Sequence, residues 1–485
     1  MPPFEILRNY WPHLASLLSL AVTIPTVFHI LLKKRDTKAA TGWVGLVWFA
    51  PFLGACLYWL FGVNRIERRA KARFARKEAW PLPTTGATVS PEYIAHHFPA
   101  EGEGLANLCR LTEKVARQPL LSGNTIVPLI NGDQAFPLML AHLEKAKKSI
   151  TLTSYIFNND SWGKRFRVAL SEAQKRGVEI RVIIDGVGAR YSFPPITWAL
   201  QKEGIKTASF MRTLLPWRYR YVNLRSHRKI MVVDGTIGFT GGLNICAENV
   251  LAENPAHPIQ DIHFLITGPV VGGLQCAFAE DWAFTTGEKL QGEKWFPPLS
   301  PDGDGIARGI IDGPDEDFDM LRLVILGALT AAHSSIWIAT PYFLPDNELL
   351  TALRLAALRG IDVQILIPKK SNLLLVDWAA EPNLEELLTA GCRIFHTPPP
   401  FDHSKIMIVD QAWVLLGSAN WDTRSLALNF EFNLECYDKK LAAEMQEILT
   451  VKKAQAQEIT VQQLRAKSLP IRLRNNFCRL FSPYL

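Results

Sequence analysis

Two uncharged apolar runs open the chain. From Tyr10 to Leu32, and again from Ala39 to Val63, there is no Asp, Glu, Lys or Arg. At about 1.5 Å per helical residue, each run is long enough to cross roughly 30 Å of hydrocarbon. The first lacks a basic start and a small-residue cleavage site, and the second follows at once, so the pattern predicts two membrane helices rather than a cleaved leader. "KKRDTK" (Lys33 to Lys38) lies between them, and Arg65, Arg68, Arg69, Lys71, Arg73, Arg76 and Lys77 follow the second. The larger cluster predicts that the bulk of the protein is cytoplasmic. The loop's own basic residues conflict with a simple hairpin: either the charge rule is overruled there or one span is re-entrant. Trp43, Trp48, Tyr58 and Trp59 sit where interfacial anchors are expected.

After a mixed-polarity stretch (80–123) the pattern alternates between strand-like and helical, as α/β units do. "SITLTSYIF" (Ser149 to Phe157) is a β-branched and aromatic run. A helical segment carries on to Lys175, and "RGVEIRVIIDG" (Arg176 to Gly186) then reads as a buried strand entered through a turn. The order recurs as "SSIWIATPYFLPD" (Ser334 to Asp346), a helical segment, and "RGIDVQILIP" (Arg359 to Pro368). A repeat of this length means two similar domains rather than a solenoid. The expected architecture is α/β: an anchor (1–79), a linker (80–123), two similar domains (124–300 and 301–467), each a mixed sheet flanked by helices, and a basic amphipathic tail (468–485). The site is expected at the interface of the two domains.

Each half carries the same motif, "SHRKIMVVDGTIGFTGGLN" (Ser226 to Asn244) and "DHSKIMIVDQAWVLLGSAN" (Asp402 to Asn420). His227 and Lys229 are two apart at the mouth of an apolar strand, as are His403 and Lys405, so each pair shares a face. A buried strand opening twice on polar residues is poorly explained by structural duplication alone. The arrangement suits a phosphate: lysine supplies fixed charge, Asn244 or Asn420 a hydrogen-bond donor, and the Gly241-Gly242 and Gly417-Ser418 turns close backbone approach. An imidazole serves as nucleophile or proton carrier near neutral pH. Asp234 and Asp410 complete the motif and are carried with the catalytic set. Their odd spacing nonetheless turns them off that face, toward a role in holding the strand end.

Composition narrows the partners only a little. With 485 residues, 48% hydrophobic and 20% charged, the chain is not disordered, and its net charge of +7 points to an anionic partner without choosing one. The seven scattered cysteines form no C-x-x-C pair. That pattern argues for reduced thiols and against a zinc site.

The paired motifs resemble the HxKxxxxD…GSxN signature of the phospholipase D superfamily, with Gly242 where the second copy has Ser418. "DGVGAR" (Asp185 to Arg190), "GFTGGLNI" (Gly238 to Ile245), "DGPD" (Asp312 to Asp315), "TPYFLPD" (Thr340 to Asp346) and "WDTRSLALNFEFN" (Trp421 to Asn433) are similar to segments of the bacterial cardiolipin synthases. The resemblance implies two phospholipase D-like domains, phosphatidyl transfer from one phosphatidylglycerol to another with release of glycerol, and a covalent phosphohistidine. No metal or other cofactor is implied. His227 is favoured as nucleophile and His403 as acid/base, the near symmetry leaving the reverse open. By the same resemblance, Asp261 and Glu431 each orient an imidazole, Glu435 being a weaker substitute. Ser418, Asn244 and Asn420 are expected to contact phosphate, and Arg225 and Arg424 a phosphate or a second headgroup. The implied setting is a multi-pass protein of the bacterial inner membrane, with phosphatidylglycerol and an anionic bilayer as partners and no nucleic acid. A lipid-hydrolysing phospholipase D shares the motif; a nuclease and a non-catalytic lipid binder fit less well. In the tail, Leu473, Phe477, Leu480, Phe481 and Tyr484 follow helical spacing among Arg472, Arg474 and Arg479. They suit either a lipid surface or the protein's own core.

Overall fold

The computed structural model describes residues 3–34, 37–62, 87–116, 118–211, 225–313 and 320–482. The basic cluster from Arg65 to Lys77, the end of the "DGPD" segment and Tyr484 lie outside the described residues. The chain divides into two compact units, Met1–Arg76 and Lys77–Leu485.

In the first unit, Pro3–Lys33 is one helix, and its segment Tyr10–Lys33 is long and apolar enough to cross a membrane. The second apolar run is not one continuous helix. It breaks into Thr37–Phe49 and Pro51–Leu57 and ends in a π-type turn, Tyr58–Gly62. Pro51 has no N–H to continue the ladder, and Ala50 leaves the helical region at φ −136°, ψ 72°. The two pieces then pack so closely that a Cβ on Gly54 would lie 2.5 Å from the Leu46 carbonyl oxygen. Composition correctly marks the run as apolar, but proline and glycine decide its path.

The second unit is built on a large mixed sheet. Its principal strands are β1 (Leu121–Ile130), β2 (Ser149–Ser154), β3 (Glu179–Asp185), β4 (Lys206–Phe210), β5 (Ile230–Val233), β6 (Ile237–Gly241), β7 (Ile262–Thr267), β8 (Gly305–Asp312), β9 (Ser335–Ala339), β10 (Asp362–Pro368), β11 (Arg393–Thr397), β12 (Ile406–Val409), β13 (Trp413–Gly417) and β14 (Glu431–Tyr437). The spatial order β11-β10-β9-β12-β13-β14-β8-β1-β7-β6-β5-β2-β3-β4 is nearly palindromic about the antiparallel β1–β8 pairing. Each half therefore has the same plan: three parallel outer strands and an antiparallel inner set ending at that seam.

Strand alternation builds the core. Met231 and Val233 of β5 enter an apolar cluster confined to the first half, while Ile230 and Val232 enter one shared by both halves with Ile406, Ile408 and Phe432. The shared cluster makes the two halves a single body. Reciprocal main-chain bonds do the same beside the repeated motif. The His227 N–H donates to the Phe430 carbonyl at 2.9 Å, and the His403 N–H donates to the Gln260 carbonyl at 2.7 Å. Phe401–Asp402 also pairs in parallel with Ile259–Gln260. Each histidine is thus held by the chain of the opposite half.

Candidate active site

The two motifs open into one pocket of about 270 Å³ whose lining includes His227, Lys229, Asn244, His403, Lys405 and Asn420. The order of residues explains the placement: each apolar strand begins just after its His-x-Lys, so the polar pair projects beyond the strand end toward the seam. The Lys229 Nζ donates to the carbonyl of His227 at 2.6 Å, and Lys405 bonds the carbonyl of His403 in the same way.

The orienting carboxylates cross between halves. His403 Nδ1 lies 2.8 Å from Asp261 Oδ2, and His227 Nδ1 lies 3.3 Å from Glu431 Oε1, with the Asn429 amide 3.1 Å away. Both carboxylates are fully buried. Each half therefore supplies a histidine to the pocket and the acid that steadies the other half's histidine.

Ser418 does not face the pocket. Its hydroxyl donates to Glu431 Oε2 at 2.5 Å and accepts the Phe432 N–H at 3.0 Å, which fixes the carboxylate rather than a substrate phosphate. The same geometry accounts for Gly242, its counterpart. A Cβ at Gly242 would sit 2.2 Å from Asp261 Oδ1. The shorter aspartate presses against the turn and needs glycine, whereas the longer glutamate leaves room for serine.

Asp234 and Asp410 also lie away from the pocket lining. The Asp234 carboxylate accepts the N–H groups of Lys147, Lys148 and Ser149, and Asp410 accepts those of His333, Ser334 and Ser335. Both adopt φ +52°, a left-handed turn that aspartate tolerates. They anchor the loop entering the neighbouring strand and touch no group in the pocket. Glu435 is likewise elsewhere, in a buried pair with Arg308.

Asn244 accepts the Ile156 N–H through Oδ1 at 3.1 Å, and Asn420 donates to Ser425 at 3.2 Å while its Oδ1 is buried without a hydrogen-bond partner among the described residues. Tyr155 packs on His227 with ring centroids 4.5 Å apart, and Tyr342 lies 6.3 Å from His403. Neither tyrosine was singled out from the sequence. Their matched places in the repeated "TSYIF" and "TPYFL" segments carried the signal.

The pocket is chemically unequal across its pseudo-twofold axis. Arg225 stands where the second half has Phe401, and Arg424 where the first has Glu248; all four line the pocket. The Arg225 guanidinium is buried 3.8 Å from Asp185, and its terminal nitrogens make no hydrogen bond among the described residues. Asp422, also in the lining, is held by the N–H of Ser425, and burial raises its carboxyl.

Burial dominates the electrostatics. It pushes Lys405 down to about 7, with Asp261 opposing and Lys229 reinforcing the shift, and it lowers Lys229 as well. Burial and the neighbouring Lys405 push His403 down to about 4 against the pull of Asp261. Burial therefore favours the neutral imidazole at His403. An anionic phosphodiester between the lysines would restore stability to the charged forms.

Two family descriptions match the chain: "Cardiolipin synthase, PLD-like domain" over residues 139–282 and 325–451, and "Phospholipase_D-nuclease N-terminal" over residues 21–62. A cardiolipin synthase of Geobacillus sp. (strain WCH70) is 34% identical, covering 99% of this chain and 96% of its own. Cardiolipin synthase A of Pseudomonas putida is 33% identical, covering 95% of each chain. The crystal structure of phosphatidylserine synthase from Haemophilus influenzae shares the fold, with a TM-score of 0.62 at 15% identity over 78% of this chain and 100% of that one. Paired half-sites on a duplicated sheet, together with near full-length similarity to these synthases, place this chain in the cardiolipin synthase family of phospholipase D-like proteins.

Proposed function

We propose that this protein is a phosphatidyltransferase that makes cardiolipin from two phosphatidylglycerol molecules. The observation that carries the reading is the meeting of two His-Lys-Asn sets in one pocket, each histidine backed by a carboxylate of the opposite half. Arg225 and Arg424 add positive charge suited to anionic headgroups.

In the first step His227 Nε2 attacks phosphorus. The N–P bond forms, the P–O bond to glycerol breaks, and His403 gives that oxygen a proton. Lys229 and Lys405 stabilise the charge on the non-bridging oxygens. In the second step His403, now neutral, takes the proton from the hydroxyl of the second phosphatidylglycerol; the new P–O bond forms as N–P breaks. Burial disfavours the charged form of His403, so a neutral imidazole with a lone pair to accept that proton is at hand. The arriving phosphodiester supplies the negative charge that favours the imidazolium in the first step.

The natural setting is the bacterial inner membrane, with the catalytic unit on the cytoplasmic side. Of the two topologies compatible with the charged loop, the break at Ala50–Pro51 favours a second apolar run that re-enters rather than crosses.

The test is to incubate purified protein in detergent with labelled phosphatidylglycerol and separate the products. Cardiolipin with stoichiometric free glycerol is expected. Phosphatidic acid as the sole product would make the protein a hydrolase, and no turnover would remove the lipid reading.

A further inference from the structure

The terminal helix Leu469–Arg479 is inverted with respect to a soluble amphipathic helix. It packs on the helix Leu374–Thr389 through its polar side. Asn475 is 1% exposed and donates to Glu381 at 2.7 Å, Arg474 stacks on Trp378 at 4.0 Å, and Arg479 approaches Glu386 at 3.6 Å. Its apolar stripe points away: Leu469, Leu473, Phe477, Leu480 and Phe481, at i, i+4, i+8, i+11 and i+12, are 47–71% exposed. A surface helix normally buries that stripe.

The stripe is not isolated. The helix beneath it starts with Leu374 and Leu375, both exposed, and the residue before them, Leu373, lines the catalytic pocket. Across the mouth, the loop after β3 supplies Tyr191, also in the lining, and Phe193, 88% exposed, whose ring pairs with Trp198 of the following helix Ile196–Lys202. These two rims follow equivalent strands, β3 and β10. Lys369, Lys370 and Arg472 are exposed beside the second rim.

From these features we infer that the pocket mouth and the terminal helix form a seat on an anionic phospholipid bilayer, separate from the amino-terminal anchor. The inference rests on the proposed lipid substrate. A pocket of about 270 Å³ is at the small end for ligand sites, with room for a phosphodiester headgroup but not its acyl chains. The chains must stay outside, and the exposed apolar rim is where they would emerge. Exposed cations flanking an apolar stripe match a negatively charged interface.

The test uses the full chain with Cys56→Ser, because the other cysteines are buried, and a polarity-sensitive dye at Phe477→Cys or, as control, at exposed Glu444→Cys. The protein is reconstituted in phosphatidylglycerol–phosphatidylcholine vesicles with or without brominated acyl chains. The seat predicts about twofold quenching at position 477 and none at 444. No quenching at 477, or emission that follows protein density instead of lipid bromination, would overturn it, the latter indicating a protein partner. In parallel, Leu473→Asp and Phe477→Asp should slow turnover of long-chain phosphatidylglycerol in vesicles about tenfold while leaving a soluble short-chain analogue within about twofold. Equal losses on both substrates would mean a merely structural helix. Failure of the unaltered protein to make cardiolipin would remove the proposed function, yet the quenching result would still decide the seat.

Discussion

Replacing Asp261 by Asn keeps the shape and removes the charge. Oδ1 of Asp261 accepts the Ile262 N–H at 2.8 Å, while Oδ2 faces His403 Nδ1 at 2.8 Å. The Ile262 donor fixes the amide oxygen at the first position, so the amide nitrogen must face the imidazole. Two donors cannot meet there, and His403 is driven to the tautomer with its proton on Nε2, the atom that must accept one. Loss of a charged hydrogen bond alone, about 1.5–3 kcal/mol, predicts a roughly 10- to 160-fold fall in kcat. The wrong tautomer moves the loss toward the roughly 10⁴-fold seen when the carboxylate of a serine-protease triad is made an amide. We expect kcat to fall at least about 100-fold with little change in KM. The assay is radiolabelled cardiolipin formation in a cycle with His403→Ala: in that background Asp261→Asn should cost less than about twofold. Retention of more than about a tenth of normal kcat, or an undiminished cost in the His403→Ala background, would refute the cross-half pairing.

Other expectations follow from the same geometry. The Lys405 ammonium, pushed to about 7, is charged below that pH and lost above it, so kcat/KM should carry an alkaline component falling up to about tenfold per pH unit. That component should vanish in Lys405→Arg, whose charge persists; an identical profile in the variant would exclude Lys405 as its source. Gly242→Ser forces Cβ into the Asp261 carboxylate and should abolish turnover while Ser418→Gly costs much less, as steady-state rates will show. Asp410→Ala removes an acceptor shared by three N–H groups and should lower stability by about 2–4 kcal/mol in denaturant titration, without changing kcat of the folded fraction beyond about twofold. A large kcat defect with unchanged stability would restore Asp410 to the chemistry.

Much of the site is legible in the sequence because its parts are local. The spacing of His227 to Lys229 and of His403 to Lys405 fixes a common face, and the odd spacing of Asp234 and Asp410 correctly turns them toward the strand end. The partnership of Asp261 with His403 spans 142 residues and depends on how the halves dock, so no local pattern assigns which acid serves which imidazole. Ser418 misleads because a hydroxyl in a glycine turn suits a phosphate and a buried carboxylate equally well. The apolar run after Ala39 shows the same limit: hydropathy measures its length, while Pro51 and Gly54 bend it. The tail's helical spacing is plain, but which face it buries is decided by Glu381, Glu386 and Trp378 on a distant helix.

The most direct test of the central claim is to quench the enzyme early in its reaction with ³²P-labelled phosphatidylglycerol and map any acid-labile, base-stable protein label. The account predicts phosphohistidine at His227 in the unaltered enzyme, absent in His227→Ala and formed more slowly in His403→Ala, which lacks the acid of the first step. Cardiolipin formation with no label on either His227 or His403 would contradict it.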